Sequence, residues 1–362
     1  MLKPIRVLIV DDSAMIREFL RSVLEAEPDI TVVGSAADPY FARDKIKQLD
    51  PDVITLDIEM PRMDGLTFLE KLMAARPMPV VMFSKTTQRG AEATLQALRL
   101  GAVEVVSKPT HNLQERLPEV RREIVSKVRA AARARVLRLG DLGLAAARPR
   151  AAGAAAPPLS AAFRPGPEMV VVMGASTGGT VALERVLCGL PADSPPIAVV
   201  QHLPAQFTEP FAKRLDQKAA IKVGQAQDYQ PLPPGQALIA PGGRHLMLEK
   251  GLRGYYTRVK DGPLVNHHKP SVDVLFRSAA ASAADKAVGI IMTGMGSDGA
   301  QGAREMRQAG ALIMAQDEAS SVIYGMARAV VEQGQAELVL PLDKIGEAIT
   351  RLWAQARGSG RR

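Results

Sequence analysis

A serine stands between two glycines in the string MGASTGGT, where Gly174 lies two residues before Ser176 and Gly178 two residues after it. This spacing is typical of a strand-to-helix turn that exposes a nucleophilic serine on a tight bend. The N-terminus of the following helix then faces the anion that develops during acyl transfer. The same string loosely mimics a dinucleotide-binding turn, but the order GxGxxG is absent and no acidic residue takes the ribose position. The pattern therefore favours a serine nucleophile.

A nucleophilic serine needs a base and an orienting acid. The chain offers five candidate bases, which are His111, His202, His245, His267 and His268. His202 directly follows the apolar run IAVVQ, so we expect it at the same sheet edge as Ser176 and favour it as the base. Asp298 is the predicted acid, because it lies in the glycine-rich string TGMGSDGA after another apolar run. The order serine, histidine, aspartate is unusual for hydrolases, but a triad is defined by geometry.

A second centre lies in the first part of the chain. Its candidate residues each follow an apolar run, and they are Asp11, Asp12, Asp57, Ser84 and Lys108. Because the carboxyl ends of parallel strands share one edge, we expect these side chains to lie together. Clustered carboxylates favour a bound cation, and oxygen ligands suit Mg²⁺. With that ion bound, Asp57 can attack a phosphoryl donor while Lys108 and the Ser84 hydroxyl neutralise the transferring oxygens.

Alternating strands and helices are predicted around both centres. Over residues 3–125 the predicted strands are 5–10, 30–34, 52–57, 79–83 and 103–106, and the predicted helices are 13–26, 39–49, 65–75, 87–100 and 112–127. This alternation indicates a five-stranded, doubly wound parallel α/β domain of the flavodoxin-like type. From residue 169 the predicted strands are 169–173, 197–201, 237–240, 288–292, 311–315 and 337–341, and the helices are 180–188, 206–218, 271–284, 299–309, 322–333 and 343–357. This half is predicted to be a doubly wound α/β domain with a mainly parallel sheet and a small antiparallel part within 221–265.

The composition changes between the two halves. Residues 129–167 are rich in Ala, Arg and Pro, which is typical of a helix extension followed by a linker. We therefore predict a first domain at 1–125, a linker at 126–167, a second domain at 168–357 and a tail at 358–362.

The 362 residues carry a formal net charge of +8, which by itself would suggest a nucleic-acid partner. Residues 1–120 hold 15 Lys and Arg against 18 Asp and Glu, residues 121–150 hold 9 against 2, and residues 151–362 hold 22 against 18. The basicity therefore belongs to the connecting segment and to the tail, where Arg357, Arg361 and Arg362 lie. No nucleic-acid-binding motif accompanies this charge, and we expect no binding of nucleic acid.

The single cysteine, Cys188, excludes a disulfide framework. Since we find neither a signal peptide nor a membrane-spanning run, we expect a cytoplasmic monomer without membrane insertion.

Residues 3–125 resemble the receiver domain of two-component response regulators. The motifs that carry the resemblance are DDS at 11–13, Asp57, DG at 64–65, Ser84 and KP at 108–109. The resemblance implies that a histidine kinase phosphorylates Asp57. It also implies a set of Mg²⁺ ligands, which are Asp11, Asp12, Asp57 and the backbone carbonyl of Glu59. Lys85 is a departure, because small residues are common after the switch hydroxyl.

Residues 169–350 are similar to the chemotaxis receptor methylesterase family, which joins a receiver to a hydrolase domain. The strings that carry the similarity are GASTGGT, QHLP, IAPGGRH, DGPLVNHHKPSVDVLF, TGMGSDGA and AQDEASSVIYGMA. The resemblance implies a catalytic triad of Ser176, His202 and Asp298. It further implies that the backbone N–H groups of Thr177 and Met295 bind the oxyanion. Small departures are Ser297 and the pair His268 and Lys269, and neither removes a catalytic group.

The resemblance implies hydrolysis of γ-glutamyl methyl esters on chemoreceptors and deamidation of certain receptor glutamines, with no cofactor for the hydrolytic chemistry. It also implies that the unphosphorylated receiver blocks the catalytic entrance and that phosphorylation relieves this block. Two other functions remain open, namely an adaptor that is gated by phosphorylation but lacks esterase activity, and a DNA-binding regulator. The complete set of serine, histidine and aspartate argues against the first, and the β/α rhythm of the second half argues against the other.

Overall fold

The structure is a computed structural model that describes residues 3–84, 88–108, 113–136, 163 and 165–359. The chain divides into two compact units near residue 148. Lys85, His111 and most of the predicted linker lie outside the described residues.

The first unit is a parallel sheet with a helix after each strand. Its strands are β1 (Ile5–Val10), β2 (Ile30–Ala36), β3 (Val53–Asp57), β4 (Val80–Ser84) and β5 (Glu104–Ser107), and its helices are α1 (Ala14–Glu25), α2 (Pro39–Leu49), α3 (Gly65–Ala75), α4 (Gln88–Arg99) and α5 (Leu113–Arg133). The strand order β2-β1-β3-β4-β5 is the flavodoxin-like order. The predicted fold of this half is therefore confirmed.

The loops at the carboxyl edge of this sheet are held by helix caps. Strands β3 and β4 are buried along their whole length, as expected for a sheet covered on both faces. Ser13, Asp38 and Asp64 each accept a hydrogen bond from a backbone N–H in the first turn of the following helix. These caps fix where the chain leaves each strand, and so they position the polar residues at the strand ends.

The second unit contains a larger sheet and a smaller one. Its strands are β6 (Val170–Ala175), β7 (Ile197–Gln201), β8 (Lys222–Gln225), β9 (Gln230–Leu232), β10 (Gln236–Ile239), β11 (His245–Gly251), β12 (Gly254–Lys260), β13 (Ala287–Ile291), β14 (Leu312–Gln316) and β15 (Leu338–Leu340). Its α-helices are α6 (Gly179–Cys188), α7 (Ala205–Asp216), α8 (Val272–Ala283), α9 (Ala300–Gln308), α10 (Met326–Glu332) and α11 (Leu342–Ser359).

The seven-stranded sheet of this unit is parallel throughout, in the order β15-β14-β13-β6-β7-β10-β8. The antiparallel sheet β11-β12-β9 lies within the part of the sequence that predicted it. Apolar side chains of β6, β13 and α8 form the main core together with residues from the small sheet. The predicted α/β architecture of this half is confirmed.

Most elements begin and end within two residues of their predicted bounds, but two helices differ more. Helix α5 continues to Arg133 with Val128 and Ala131 fully buried, so the predicted helix bound at 127 is exceeded by six residues and the expected extension of this helix is present. Helix α10 begins at Met326 rather than at 322, because Asp317 and the residues after it form a hydrogen-bonded loop. Within the described residues, no helix is long and apolar enough to cross a membrane.

Candidate functional site

The three predicted triad residues lie on loops at one edge of the seven-stranded sheet. Ser176 follows β6, His202 follows β7, and Asp298 lies in the loop between β13 and α9. Strand β6 stands between β13 and β7, so these loops are neighbours. The chain proceeds from β6 and from β13 toward opposite ends of the sheet, which makes this edge a topological switch point, where ligands bind in open α/β sheets.

The turn that carries Ser176 is fixed from both neighbouring strands. The Ser176 backbone N–H donates to the carbonyl oxygen of Thr293 at 3.0 Å. On the other side, the Gln201 Nε2 donates to the Ser176 carbonyl oxygen at 2.8 Å. Gly178 has a φ of 77°, which L side chains rarely adopt, and this explains the glycine after the serine. Ser176 itself is partly exposed.

The imidazole of His202 is hydrogen-bonded to the acid. The His202 Nε2 lies 2.9 Å from Asp298 Oδ2, and both side chains are buried. Burial would raise the pKa of Asp298, but the hydrogen bond and charge of His202 and further donors outweigh burial and hold the pKa well below its usual range. An ionised carboxylate only accepts, so Nε2 carries the proton. The buried His202 Nδ1 has no hydrogen-bond partner among the described residues.

Asp298 also caps helix α8 from a separate loop. Its Oδ2 accepts from the Val272 backbone N–H at 2.7 Å, and its Oδ1 accepts from the Ser271 hydroxyl at 2.8 Å and from the Asp273 backbone N–H at 3.3 Å. Ser271 occupies the cap position without using its own side chain as a cap. The positive end of the helix dipole therefore stabilises the carboxylate that orients His202.

The other histidines have different surroundings. His268 stacks on His202, with ring centroids 3.8 Å apart and 10° between the ring planes. His245 is buried, with Nε2 2.8 Å from the Pro263 carbonyl oxygen and Nδ1 accepting from the Ser271 backbone N–H, so it holds the loop rather than serving as a base. His267 is exposed. The histidine that the sequence favours as the base, His202, is hydrogen-bonded to Asp298, the predicted acid.

The two residues predicted to bind the oxyanion flank Ser176. Thr177 follows it directly, and Met295 belongs to the bend after β13. A Cβ placed on Gly294 would lie 2.7 Å from the Cβ of Ser176, so only glycine lets this bend approach the serine so closely. The Thr293 hydroxyl ties the two segments together, because it lies 2.9 Å from the Thr177 carbonyl oxygen and accepts from the Ile323 backbone N–H.

The carboxylates of the first unit also come together. One carboxylate oxygen each from Asp11, Asp12 and Asp57 lies within 4.8 Å of the others. The Lys108 Nζ lies 2.8 Å from both Asp11 and Asp57. Ser84 is buried at the end of the neighbouring strand β4.

The chemistry of this cluster fits a divalent cation. Three carboxylates supply only oxygen ligands, and Asp12 is exposed while Asp11 and Asp57 are buried, which leaves an approach from solvent. Burial raises the pKa of Asp57 to about 6, and the hydrogen bond and charge of Lys108 offset only part of that rise. A cation at this edge would favour the ionised, nucleophilic form of Asp57.

The structure adds residues that sequence reasoning missed. Asn266, Ser271 and Asp273 surround Asp298, and Gln201 holds the serine turn. The string NHHKPSVD was noted for its resemblance, but its residues do not follow a predicted strand, so the strand-edge argument did not select them. The signal that could have found them is the need of a buried aspartate for several donors.

Comparisons with known proteins cover both units. Residues 171–349 match the family model "CheB methylesterase", and residues 7–118 match "Response regulator receiver domain". A protein-glutamate methylesterase/protein-glutamine glutaminase of Xanthomonas campestris is 51% identical over 354 residues, which span 98% of this chain and 99% of the relative. Such an enzyme of Pseudomonas aeruginosa is 49% identical over 359 residues, spanning 99% of both chains. The crystal structure of the Thermotoga maritima CheB methylesterase catalytic domain covers 51% of this chain and 98% of that chain, with 37% identity and a TM-score of 0.50.

The fold and the matched models define a response regulator whose output domain is a hydrolase of the methylesterase type. The chain belongs to the protein-glutamate methylesterase/protein-glutamine glutaminase family of chemotaxis.

Proposed function

We propose that Ser176, His202 and Asp298 are the catalytic triad with which this chain hydrolyses γ-glutamyl methyl esters on chemoreceptors. The observation that carries the proposal is the hydrogen bond of 2.9 Å between His202 Nε2 and Asp298 Oδ2. These two residues lie on the loops after β7 and β13, the two strands on either side of the strand that Ser176 follows. An ionised, buried acid fixes the imidazole tautomer, and the remaining ring nitrogen serves the serine.

The steps follow from these positions. The Ser176 Oγ attacks the ester carbonyl carbon while its proton moves to His202 Nδ1. The resulting imidazolium faces the Asp298 carboxylate, which stabilises its charge. The proton then passes to the leaving methoxide, methanol departs, and an acyl-enzyme ester remains. Water attacks that ester with the same imidazole as base, which releases a glutamate side chain and restores the serine.

Two backbone donors are assigned to the oxyanion. The N–H groups of Thr177 and Met295 belong to the segments that the Thr293 hydroxyl and Gly294 hold against Ser176. A donor of this kind contributes a factor of about 10²–10³ to turnover. The same attack on a primary amide releases ammonia, so the site also accounts for deamidation of receptor glutamines.

The first unit is assigned a regulatory phosphorylation. Asp57 is the acceptor, with the chemoreceptor-coupled histidine kinase as donor. Asp11, Asp12, Asp57 and the Glu59 carbonyl would hold Mg²⁺, which when bound supplies charge neutralisation for the phosphoryl oxygens. Lys108 pairs with Asp57 and Asp11 at 2.8 Å, so its ammonium stands where the added charge would arise. Ser84 lies at the end of the next strand and would bond a phosphoryl oxygen.

We assign this activity to the cytoplasm, since the proposed substrates are methyl esters on the cytoplasmic helices of chemoreceptors. Receiver and hydrolase are assigned to 1–125 and 168–357, with the linker at 126–167 and the tail at 358–362. The hydrolase range is close to the matched residues 171–349, and the compact units divide inside the linker range.

The test is methanol release from a methylated cytoplasmic fragment of a chemoreceptor. Ser176→Ala should lower turnover about 10⁴- to 10⁶-fold while the protein stays folded, because removal of a triad nucleophile leaves only binding and the oxyanion donors. His202→Ala should be similarly severe, and the matched control His267→Ala, on an exposed histidine, should stay close to the unaltered protein. If Ser176→Ala keeps a tenth of the activity, Ser176 is not the nucleophile. An unaltered protein that binds the fragment but releases no methanol would instead indicate an adaptor.

A further inference from the structure

One amide links the acid of the triad to a second buried carboxylate. The Asn266 Nδ2 lies 2.8 Å from Asp298 Oδ1 and 2.6 Å from Asp273 Oδ2. Both aspartates are 2% exposed. Since the carboxamide nitrogen carries two hydrogens, one can go to each carboxylate, and both donors of this side chain are used.

The two carboxylates also cap each other's helices. Asp298, just before α9, accepts from the backbone N–H of Val272 in the first turn of α8. In return Asp273, in that first turn, accepts from the backbone N–H of Gly302 in the first turn of α9 at 2.7 Å. Each buried charge therefore faces a helix N-terminus. Two like charges remain close together, and a neutral group with two donors between them offsets their repulsion.

We propose that Asn266 is a positioning residue for the hydrolysis, which joins Asp298 to Asp273 and thereby leaves Asp298 Oδ2 aimed at His202 Nε2. This inference rests on the proposed function of the triad. Asn266 holds Oδ1 of the acid, so the carboxylate cannot rotate about its Cβ–Cγ bond without losing a hydrogen bond to a charged group.

The residue type suits both the bond and the backbone. Asn266 has a φ of 51°, in the left-handed region that asparagine tolerates better than most residues. Aspartate has the same shape and a similar tolerance, but it lacks the two N–H donors. Burial, together with the charge of Asp298, raises the pKa of Asp273, which agrees with a pair of carboxylates that need this donor.

The experiment compares Asn266→Gly and Asn266→Asp with the matched control His267→Gly. His267 is the next residue, is exposed and also has a positive φ of 67°, so a glycine there adds the same chain freedom without touching the acid. Methanol release from the methylated receptor fragment is measured across pH for each full-length variant, and urea unfolding checks that each is folded. The titratable and charged groups around the amide include the two bonded carboxylates Asp273 and Asp298, and Arg277, whose charge acts on Asp273. On the other side of Asp298 they include His202 and, stacked on its imidazole, His268.

We expect Asn266→Gly to lower kcat about 10- to 100-fold with KM changed less than about threefold, which is the range of a lost hydrogen bond to a charged group. We expect Asn266→Asp to move the acid limb of the kcat profile to higher pH, because an added negative charge favours the protonated imidazole. His267→Gly should do neither.

Equal kcat values and pH profiles for Asn266→Gly and His267→Gly would overturn the inference, as would an unmoved acid limb in a folded Asn266→Asp protein. Ser176→Ala, measured in parallel, distinguishes a failure of the proposed triad from a failure of the positioning role of Asn266. If Ser176→Ala is inactive and the Asn266 variants are unaffected, the positioning role alone is wrong. If Ser176→Ala is active, the proposed triad is wrong.

Discussion

At the residue scale, burial of Asp57 favours the protonated carboxyl, whereas the proposed attack on a phosphoryl donor needs the ionised one. The pKa of Asp57 is raised to about 6, first by burial, with Lys108 offsetting part of the effect. A carboxyl whose folded pKa is above its ordinary value of 3.8 binds its proton more tightly in the folded state. The contribution of Asp57 to the free energy of unfolding is therefore most favourable at low pH, and this contribution is lost as pH rises through the pKa of the folded state.

We expect Asp57→Asn to raise the free energy of unfolding of the first unit by about 3 kcal/mol at about pH 7.5 without Mg²⁺. The gain should shrink as pH falls through about 6 toward about 4, where the unaltered carboxyl is protonated in both states. Urea unfolding at several pH values in the presence of a chelator measures this difference in the free energy of unfolding. The matched control is Asp12→Asn, because Asp12 belongs to the same cluster but is exposed. A loss of stability at neutral pH would mean that the pairing of Asp57 with Lys108 outweighs burial.

The residues that sequence reasoning found share one property. Ser176, His202 and Asp57 stand at or just after the ends of strands, and apolar runs predict strands well enough to place such residues at one edge. Asn266 and Asp273 lie in a loop and a helix start, and their partner Asp298 is distant in sequence. Their roles depend on which helix N-termini face each other, and periodicity carries no information on that contact.

At the element scale, helices α8 and α9 pack closely where they exchange caps. A Cβ on Gly302 would lie 2.5 Å from the Cβ of Phe276 and 3.0 Å from the Asp273 carbonyl oxygen, so neither neighbour can yield by turning a flexible side chain. The Gly302 N–H also donates to Asp273. A larger residue must therefore push the two helix starts apart.

We expect Gly302→Ala to cost about 1–3 kcal/mol of stability and to lower kcat, because the displacement reaches the loop that carries Asp298. The matched control is Gly346→Ala in helix α11, where the nearest atom to a new Cβ is 3.7 Å away. That change should be neutral or stabilise by about 0.5–1 kcal/mol, since alanine favours helix. Unfolding and methanol release are measured on both. Equal behaviour of the two variants would contradict a tight α8–α9 contact.

Element bounds were predicted well for strands and less well where a loop imitates a helix. Residues 322–324 are the apolar run Val-Ile-Tyr directly before the helical pattern, and the predicted helix α10 included them. In the structure Ile323 bonds to Thr293 and Gly325 packs on Gly294, so these residues support the bend beside Ser176 instead. Tertiary hydrogen bonds outweigh a local helical preference at this point.

At the scale of the whole molecule, a receiver unit and a methylesterase unit share one chain. We expect deletion of residues 1–140 to raise basal methanol release, and Asp57→Asn to abolish activation by acetyl phosphate and Mg²⁺ while leaving basal release unchanged. A tenfold activation needs a bias of only about 1.4 kcal/mol between two arrangements, which one phosphoryl group can supply.

The measurement is methanol release by the full-length protein, by the Asp57→Asn variant and by the truncated enzyme that lacks residues 1–140, which is called the fragment below. Each is measured with and without the phosphodonor. Equal rates for the fragment and the unphosphorylated full chain would contradict inhibition by the receiver. Activation that survives in Asp57→Asn would exclude Asp57 as the acceptor. A fragment slower than the phosphorylated chain would mean that phosphorylation also improves the active geometry.

The central position of β6 also bears on synthesis at the ribosome. Strand β6 pairs with β13, so Val170 lies opposite Ala287, and more than a hundred residues must be made between these partners. Until β13 emerges, the nascent chain holds Ser176 and His202 but presents a long apolar strand edge without its neighbour, which is a site for aggregation. Chains that stop before residue 287 should therefore be inactive and poorly soluble. Because β6 pairs with β13 late in synthesis, the active site can form only when the chain is nearly complete.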